Sequence, residues 1–186
     1  MKLNFTIGSG VWIVLTVSLL FACKKKEKSR DILQAIQQTG QLVTVEYSLS
    51  KIVRANDNKT WYKLGDRKIL ISVEATVKAG VDLQRLTAED VTIDGMQISL
   101  QLPPPTIFSV VLSPEKIRVQ YEDVSFFRNR FSVTEREALL AQAEKQIRGL
   151  ADSLGVLQTA RTNATSFMEK LLRQSGFETI KVGFKE

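Results

Sequence analysis

The chain has 186 residues, with 26 Lys and Arg against 20 Asp and Glu, one cysteine and no histidine. The missing histidine excludes an imidazole general base, the Ser-His-Asp and Cys-His arrangements and most zinc sites. A single cysteine excludes a disulfide framework or a Cys-rich metal site within one chain, so no metal or cofactor is expected. The net charge of +6 is concentrated just after Cys23. It reads as a membrane-proximal collar rather than a nucleic-acid footprint, which needs a basic patch interleaved with aromatics.

The densest apolar run is Val11 to Phe21, broken only by Thr16 and Ser18, and it ends in Leu20-Phe21-Ala22-Cys23. Its length suits a secretory h-region and falls short of the ~20 apolar residues of a spanning helix. The ending resembles a bacterial lipobox. In that pattern Leu20 fills an apolar subsite, Ala22 is small for the peptidase, and the Cys23 thiol becomes a thioether to diacylglycerol. Lys24, Lys25, Lys26, Lys28 and Arg30 follow at once. By the positive-inside tendency they favour the competing arrangement, an uncleaved single-pass helix with the main domain in the cytoplasm. The expected organisation is residues 1–22 as lipoprotein signal or membrane anchor, 23–40 as basic tether and short helix, and 41–186 as one α+β domain. A periplasm-facing lipoprotein is the expected location, a single-pass inner-membrane protein the alternative.

Ser29 to Gln38 reads as a short helix, with Ile32, Leu33 and Ile36 on one face. From Leu42 to Val53 the period is two, the pattern of a strand, and 55–59 is turn material. Trp61 to Leu64 and Lys68 to Lys78 form a second strand region that Gly80 ends. Asp82 to Leu86 suggests one helical turn capped by Asp82. Asp94-Gly95 between Val91–Ile93 and Met96–Leu102 is a hairpin signal, and Pro103-Pro104-Pro105 stops the return strand. Ile107–Leu112 and Lys116–Val124 complete about six strands with no sizeable helix between them, which predicts an antiparallel sheet.

The period changes again at Ser132. Thr134-x-x-Glu137 fits a capping box. Leu140, Ala143, Ile147, Leu150, Leu154, Leu157, Ala164, Met168 and Leu171 then mark a helical stripe, widened by Leu139, Ala151, Ala160, Phe167 and Leu172. One helix over 134–175 would span ~60 Å, so a break near Gly155 into two helices is expected. Glu178 to Phe184 reads as a final strand. The fold class is therefore α+β: antiparallel sheet, two helices or one kinked helix, and a returning strand.

Five segments occur in a characteristic order: Lys78-Ala79-Gly80-Val81-Asp82-Leu83, the hairpin Val91 to Ile98, Leu100 to Pro105, Gly155 to Ala164, and Leu171 to Phe177. Together they resemble the bacterial family called domain of unknown function 4230, over roughly Gln41 to Lys185. The resemblance implies a small protein behind an N-terminal membrane segment, usually a spanning helix. It implies no activity, cofactor or catalytic residue.

Several residues bear weighing as sites. Glu89-Asp90 with Asp94 are acidic, but lack the spacing of a calcium loop. Glu122-Asp123 read as edge charges, and Pro103 to Pro105 as a stiff crossover. Trp61-Tyr62 form either a binding platform or half-buried strand aromatics. Arg128-Asn129-Arg130 suit a phosphate or lipid headgroup, or a solvated loop. The helix stripe over 134–175 is a surface for homo-oligomer or protein contact if any of it stays exposed. The favoured function is a membrane-anchored, non-catalytic binding or scaffolding protein. The alternatives are a hydrolase built on carboxylates or on Ser113 and Lys116, and a carrier with a ligand pocket between sheet and helices.

Overall fold

The computed structural model describes residues 31–58, 61–62 and 64–185. Residues 1–30, with the expected anchor, Cys23 and the collar Lys24, Lys25, Lys26, Lys28 and Arg30, lie outside the described residues. In chain order the elements are helix α1 (31–38), β1 (Gln41–Asp57), β2 (Arg67–Asp82), β3 (Val91–Asp94), β4 (Gln97–Leu102), β5 (Thr106–Leu112), β6 (Arg118–Val124), α2 (Val133–Ser153), α3 (Val156–Gln174) and β7 (Thr179–Phe184). The class is α+β, with the strands in two sheets. The chain clusters into two compact units, one of residues 42–81 and 105–164, the other of the remaining segments.

The larger unit is organised by β2. Ile69, Ile71, Val73, Ala75, Val77 and Ala79 occupy every second position and are almost fully buried, as the alternation of a strand requires. β1 lies along one edge of β2. The other edge is shared: β5 pairs antiparallel with Ala75–Gly80, and β6 antiparallel with Arg67–Ser72. Between β5 and β6 a 3-10 turn, Pro114–Lys116, makes a short excursion from the ladder. Lys116 pairs with Glu74 across it.

β2 does not stop at Gly80 as the sequence suggests; it runs on to Asp82. Gly80 is needed for a different reason. A Cβ at this position would lie 1.9 Å from the Leu42 carbonyl oxygen, so the backbone of β1 passes where a side chain would be. At the same end of β1, the Thr44 carbonyl accepts a hydrogen bond from Asn163 Nδ2 at 2.9 Å. A strand-edge acceptor is thereby satisfied by a helix side chain.

The helices complete this core. Leu139, Ala143, Ile147 and Ala151 of α2, with Val156 and Ala160 of α3, belong to the same buried cluster as the inward residues of β1, β2 and β5. The buried row thus advances by fours, and the mixed stripe read from the sequence is narrower than expected. Leu150 and Leu154 are exposed, and Leu140 and Leu157 are partly buried at its margin. Alanine at three of these contacts lets helix backbone come close to the sheet. The helix breaks where glycine suggested: α2 ends at Ser153, and Gly155 takes φ +75°, a left-handed conformation that stops helices.

Helix α2 is capped two residues earlier than its sequence suggests. The Glu135 N–H donates to Ser132 Oγ at 3.3 Å, and the Ser132 N–H donates to Glu135 Oε2 at 2.8 Å. Ser132-x-x-Glu135 and Thr134-x-x-Glu137 both fit the box. The former prevails because Glu135 also has an ion-pair partner in Arg67.

The smaller unit is built on the β3–β4 hairpin. Its four register pairs run from Val91↔Leu100 to Asp94↔Gln97, leaving the two-residue loop Gly95-Met96. The surprise is β7, which pairs with β4 in parallel over Gln97↔Thr179 to Leu102↔Phe184. The connection between them contains β5, β6, α2 and α3, far longer than the tight turn that joins antiparallel neighbours and long enough for a parallel crossover. Asp82 caps the 3-10 turn Leu83–Arg85, its Oδ1 accepting from the Gln84 N–H at 3.2 Å.

Gly80→Ala is expected to cost ~3 kcal/mol or more, because backbone rather than a movable side chain blocks the new methyl group. Urea unfolding of the variant beside the parent protein measures this.

Candidate docking site at two aromatic loops

Arg67 opens β2 and pairs with Val124, the last residue of β6. The segment before β2 and the segment after β6 therefore leave the sheet at the same end. The two segments then hold each other. The Ser125 N–H donates to the Asp66 carbonyl at 3.0 Å, and the Asp66 N–H donates to Ser125 Oγ at 3.0 Å. Arg128 Nη1 donates to the Gly65 carbonyl at 3.3 Å.

A charge network fixes the base of both loops. Asp57, at the end of β1, accepts from Arg67 Nε at 3.0 Å and also pairs with Arg128. Arg67 pairs in addition with Glu135 at the start of α2, and its guanidinium lies 4.5 Å from the centre of the buried Phe131 ring. Arg136 donates to the Phe131 carbonyl at 3.2 Å and pairs with Glu122 at 3.0 Å. Bonding to Arg67 and to the Ser132 N–H holds the Glu135 carboxyl down at about 2. The Arg67 guanidinium is raised, chiefly by its bond to Glu135, with burial opposing. These groups are satisfied by one another, so the network positions the loops.

What the loops present is apolar. Trp61 is 94% exposed and Tyr62 65%, on one loop with Leu64; Phe126 is 94% and Phe127 73% exposed on the other. The rings meet edge to face within each loop, at 5.4 Å for Trp61–Tyr62 and 5.3 Å for Phe126–Phe127. The expectation of half-buried strand aromatics therefore fails for Trp61 and Tyr62. β1 ends at Asp57 and β2 begins at Arg67, and Trp61 and Tyr62 between them lie in a turn, not on a strand with a buried face. The two basic and aromatic motifs that stood apart in the sequence, Trp61-Tyr62 and Arg128-Asn129-Arg130, belong to one site. Phe126-Phe127 was missed. Two consecutive large aromatics just past a strand end, with no alternation to bury them, were the available signal.

The other candidates have structural roles. Asp90 is buried, accepts from the Thr87 N–H at 2.6 Å and pairs with Lys185 at 2.6 Å. Burial pushes its carboxyl up, but Lys185 and Thr87 together bring it below the usual range. No group of three or more acidic or cysteine side chains able to hold a metal occurs among the described residues. Lys116 is raised, mainly by its bond to Glu74, the opposite of what a lysine base beside Ser113 would need. Pro103–Pro105 join β4 to β5, as a stiff crossover. An open, largely apolar groove of about 470 Å³ lies near Ile107, Gly149 and Leu157. Among the described residues no helix is long and apolar enough to cross a membrane.

The family model described as "Protein of unknown function (DUF4230)" matches residues 34–182. The chain belongs to the DUF4230 family. No curated protein and no solved structure matches it. Both aromatic loops of this DUF4230 protein lie inside the matched range. So does the Lys78–Leu83 segment, whose Gly80 and Asp82 have the backbone roles described above.

The Glu135→Gln variant is expected to melt about 2–4 °C below the parent at pH 7, the size of a ~1 kcal/mol loss after solvent screening. A carboxylate whose folded pKa is depressed stabilises above its unfolded value and loses that contribution as pH falls through the folded one. The gap should therefore close between about 4.5 and about 2, which thermal melts across that range would show.

Proposed function

We propose that this DUF4230 protein is a non-catalytic binding module held at a bacterial envelope membrane, presenting Trp61, Tyr62, Leu64, Phe126 and Phe127 to a partner. The exposure of four aromatic rings on two loops clamped by hydrogen bonds and ion pairs carries this reading. Each large apolar side chain left in water forgoes roughly 1.5–3 kcal/mol of burial. Holding such residues in a fixed arrangement suits recognition, because little ordering is left to do on binding. Attachment rests on the sequence of residues 1–30: the apolar run, Cys23 as the site of lipidation, and the collar Lys24, Lys25, Lys26, Lys28 and Arg30 meeting anionic headgroups. A lipid-modified cysteine facing the periplasm is the favoured form.

Two measurements on protein from native membranes test the reading. Mass spectrometry should find the N-terminus at an acylated Cys23; an unmodified Cys23 behind an intact Met1 would refute lipid attachment. A photo-reactive residue in place of Phe127 should give adducts absent when the same residue replaces the exposed Glu46 of β1. Equal labelling from both positions would remove the loops from consideration.

A further inference from the structure

We infer that the two loops dock into the headgroup–acyl boundary of an anionic phospholipid bilayer, with Trp61, Tyr62, Leu64, Phe126 and Phe127 entering it. This rests on the proposed reading and names the partner of the same site.

Residue type is the first support. Trp and Tyr, with an apolar body and a polar tip, are the side chains enriched at the membrane–water boundary. Phe and Leu supply apolar contact of the kind that holds interfacial segments ~5–10 Å deep. All five sit on turn segments at one end of a sheet, and all five are exposed.

Charge is the second. The sequence interleaves Lys59 and Lys63 with Trp61 and Tyr62, and Arg130 is exposed beyond Phe126 and Phe127, against the carboxylate Asp66. Such an excess meets anionic lipid at ~1 kcal/mol per cation near the surface. A polar hollow of about 430 Å³ lies beside Phe126, lined by Ser125, Arg128 and Arg130 and also by Glu122 and Asp123.

Shape is the third. Hot spots of protein interfaces sit in fitted pockets, and a single-stranded nucleic acid needs a basic groove along which bases stack. The rings here protrude from two loop ends and meet edge to face in separate pairs, not in a row along a groove. A soft, planar partner accepts such a projection without a complementary mould.

The test uses the full chain with Trp12→Phe, which leaves Trp61 as the only tryptophan. The protein is reconstituted into vesicles of phosphatidylcholine with about one third phosphatidylglycerol, and into phosphatidylcholine alone, with and without brominated lipid. Flotation reports attachment; Trp61 emission and its quenching by bromine report insertion. In anionic vesicles Trp61 emission should shift to the blue and be quenched. Phe126→Ser with Phe127→Ser should lower the quenching roughly tenfold without changing the melting temperature. Neutral vesicles, or salt near 1 M, should give weaker quenching of Trp61. Protein that floats while Trp61 stays water-like and unquenched would overturn bilayer docking and leave the membrane-held reading standing. In that case a protein adduct from the Phe127 position would identify a protein partner instead. Protein that does not float at all would overturn both.

Discussion

The larger unit depends on one constraint, the strict two-residue period of β2. Six residues from Ile69 to Ala79 point the same way and are excluded from water. A slip of one position would turn all of them outward and bring Leu70, Ser72, Glu74, Thr76 and Lys78 in. That penalty fixes the register of three partner strands at once. The register in turn decides where each loop emerges. The aromatic loops adjoin because Arg67 stands opposite Val124. Had β6 paired one step further along, Ser125 and Asp66 would not meet.

A single strand with partners on both edges, one edge divided between two strands, also explains the length of β2. Sixteen residues exceed what either β5 or β6 covers alone. The excursion at Pro114–Lys116 absorbs the mismatch between them, and the pairing of Lys116 with Glu74 accounts for residues that otherwise suggest chemistry.

Much of this was legible in the sequence, for identifiable reasons. Period-two alternation located β1, β2 and the hairpin, because one-sided burial writes itself into composition. The positions of Asp82 and Gly155 followed from local backbone chemistry. Errors arose where distant partners decide. The choice between Ser132 and Thr134 as cap depends on Arg67, some 65 residues away along the chain. Gly80 looked like a strand end, since nothing in the sequence reveals the Leu42 carbonyl beside it. Parallel pairing of β7 with β4 was invisible for the same reason. The aromatic site was half legible: Trp61-Tyr62 and Arg128-Asn129-Arg130 attracted notice, Phe126-Phe127 did not, and their adjacency is a property of the sheet.

The length of β1 has a mechanical meaning. Its seventeen residues, Gln41–Asp57, form one uninterrupted strand along an edge of β2, and Asp57 at its end is the carboxylate that both Arg67 and Arg128 hold. A pull along β1 therefore loads its ladder of hydrogen bonds in shear, many at once, before any strain reaches the clamp beneath the aromatic residues.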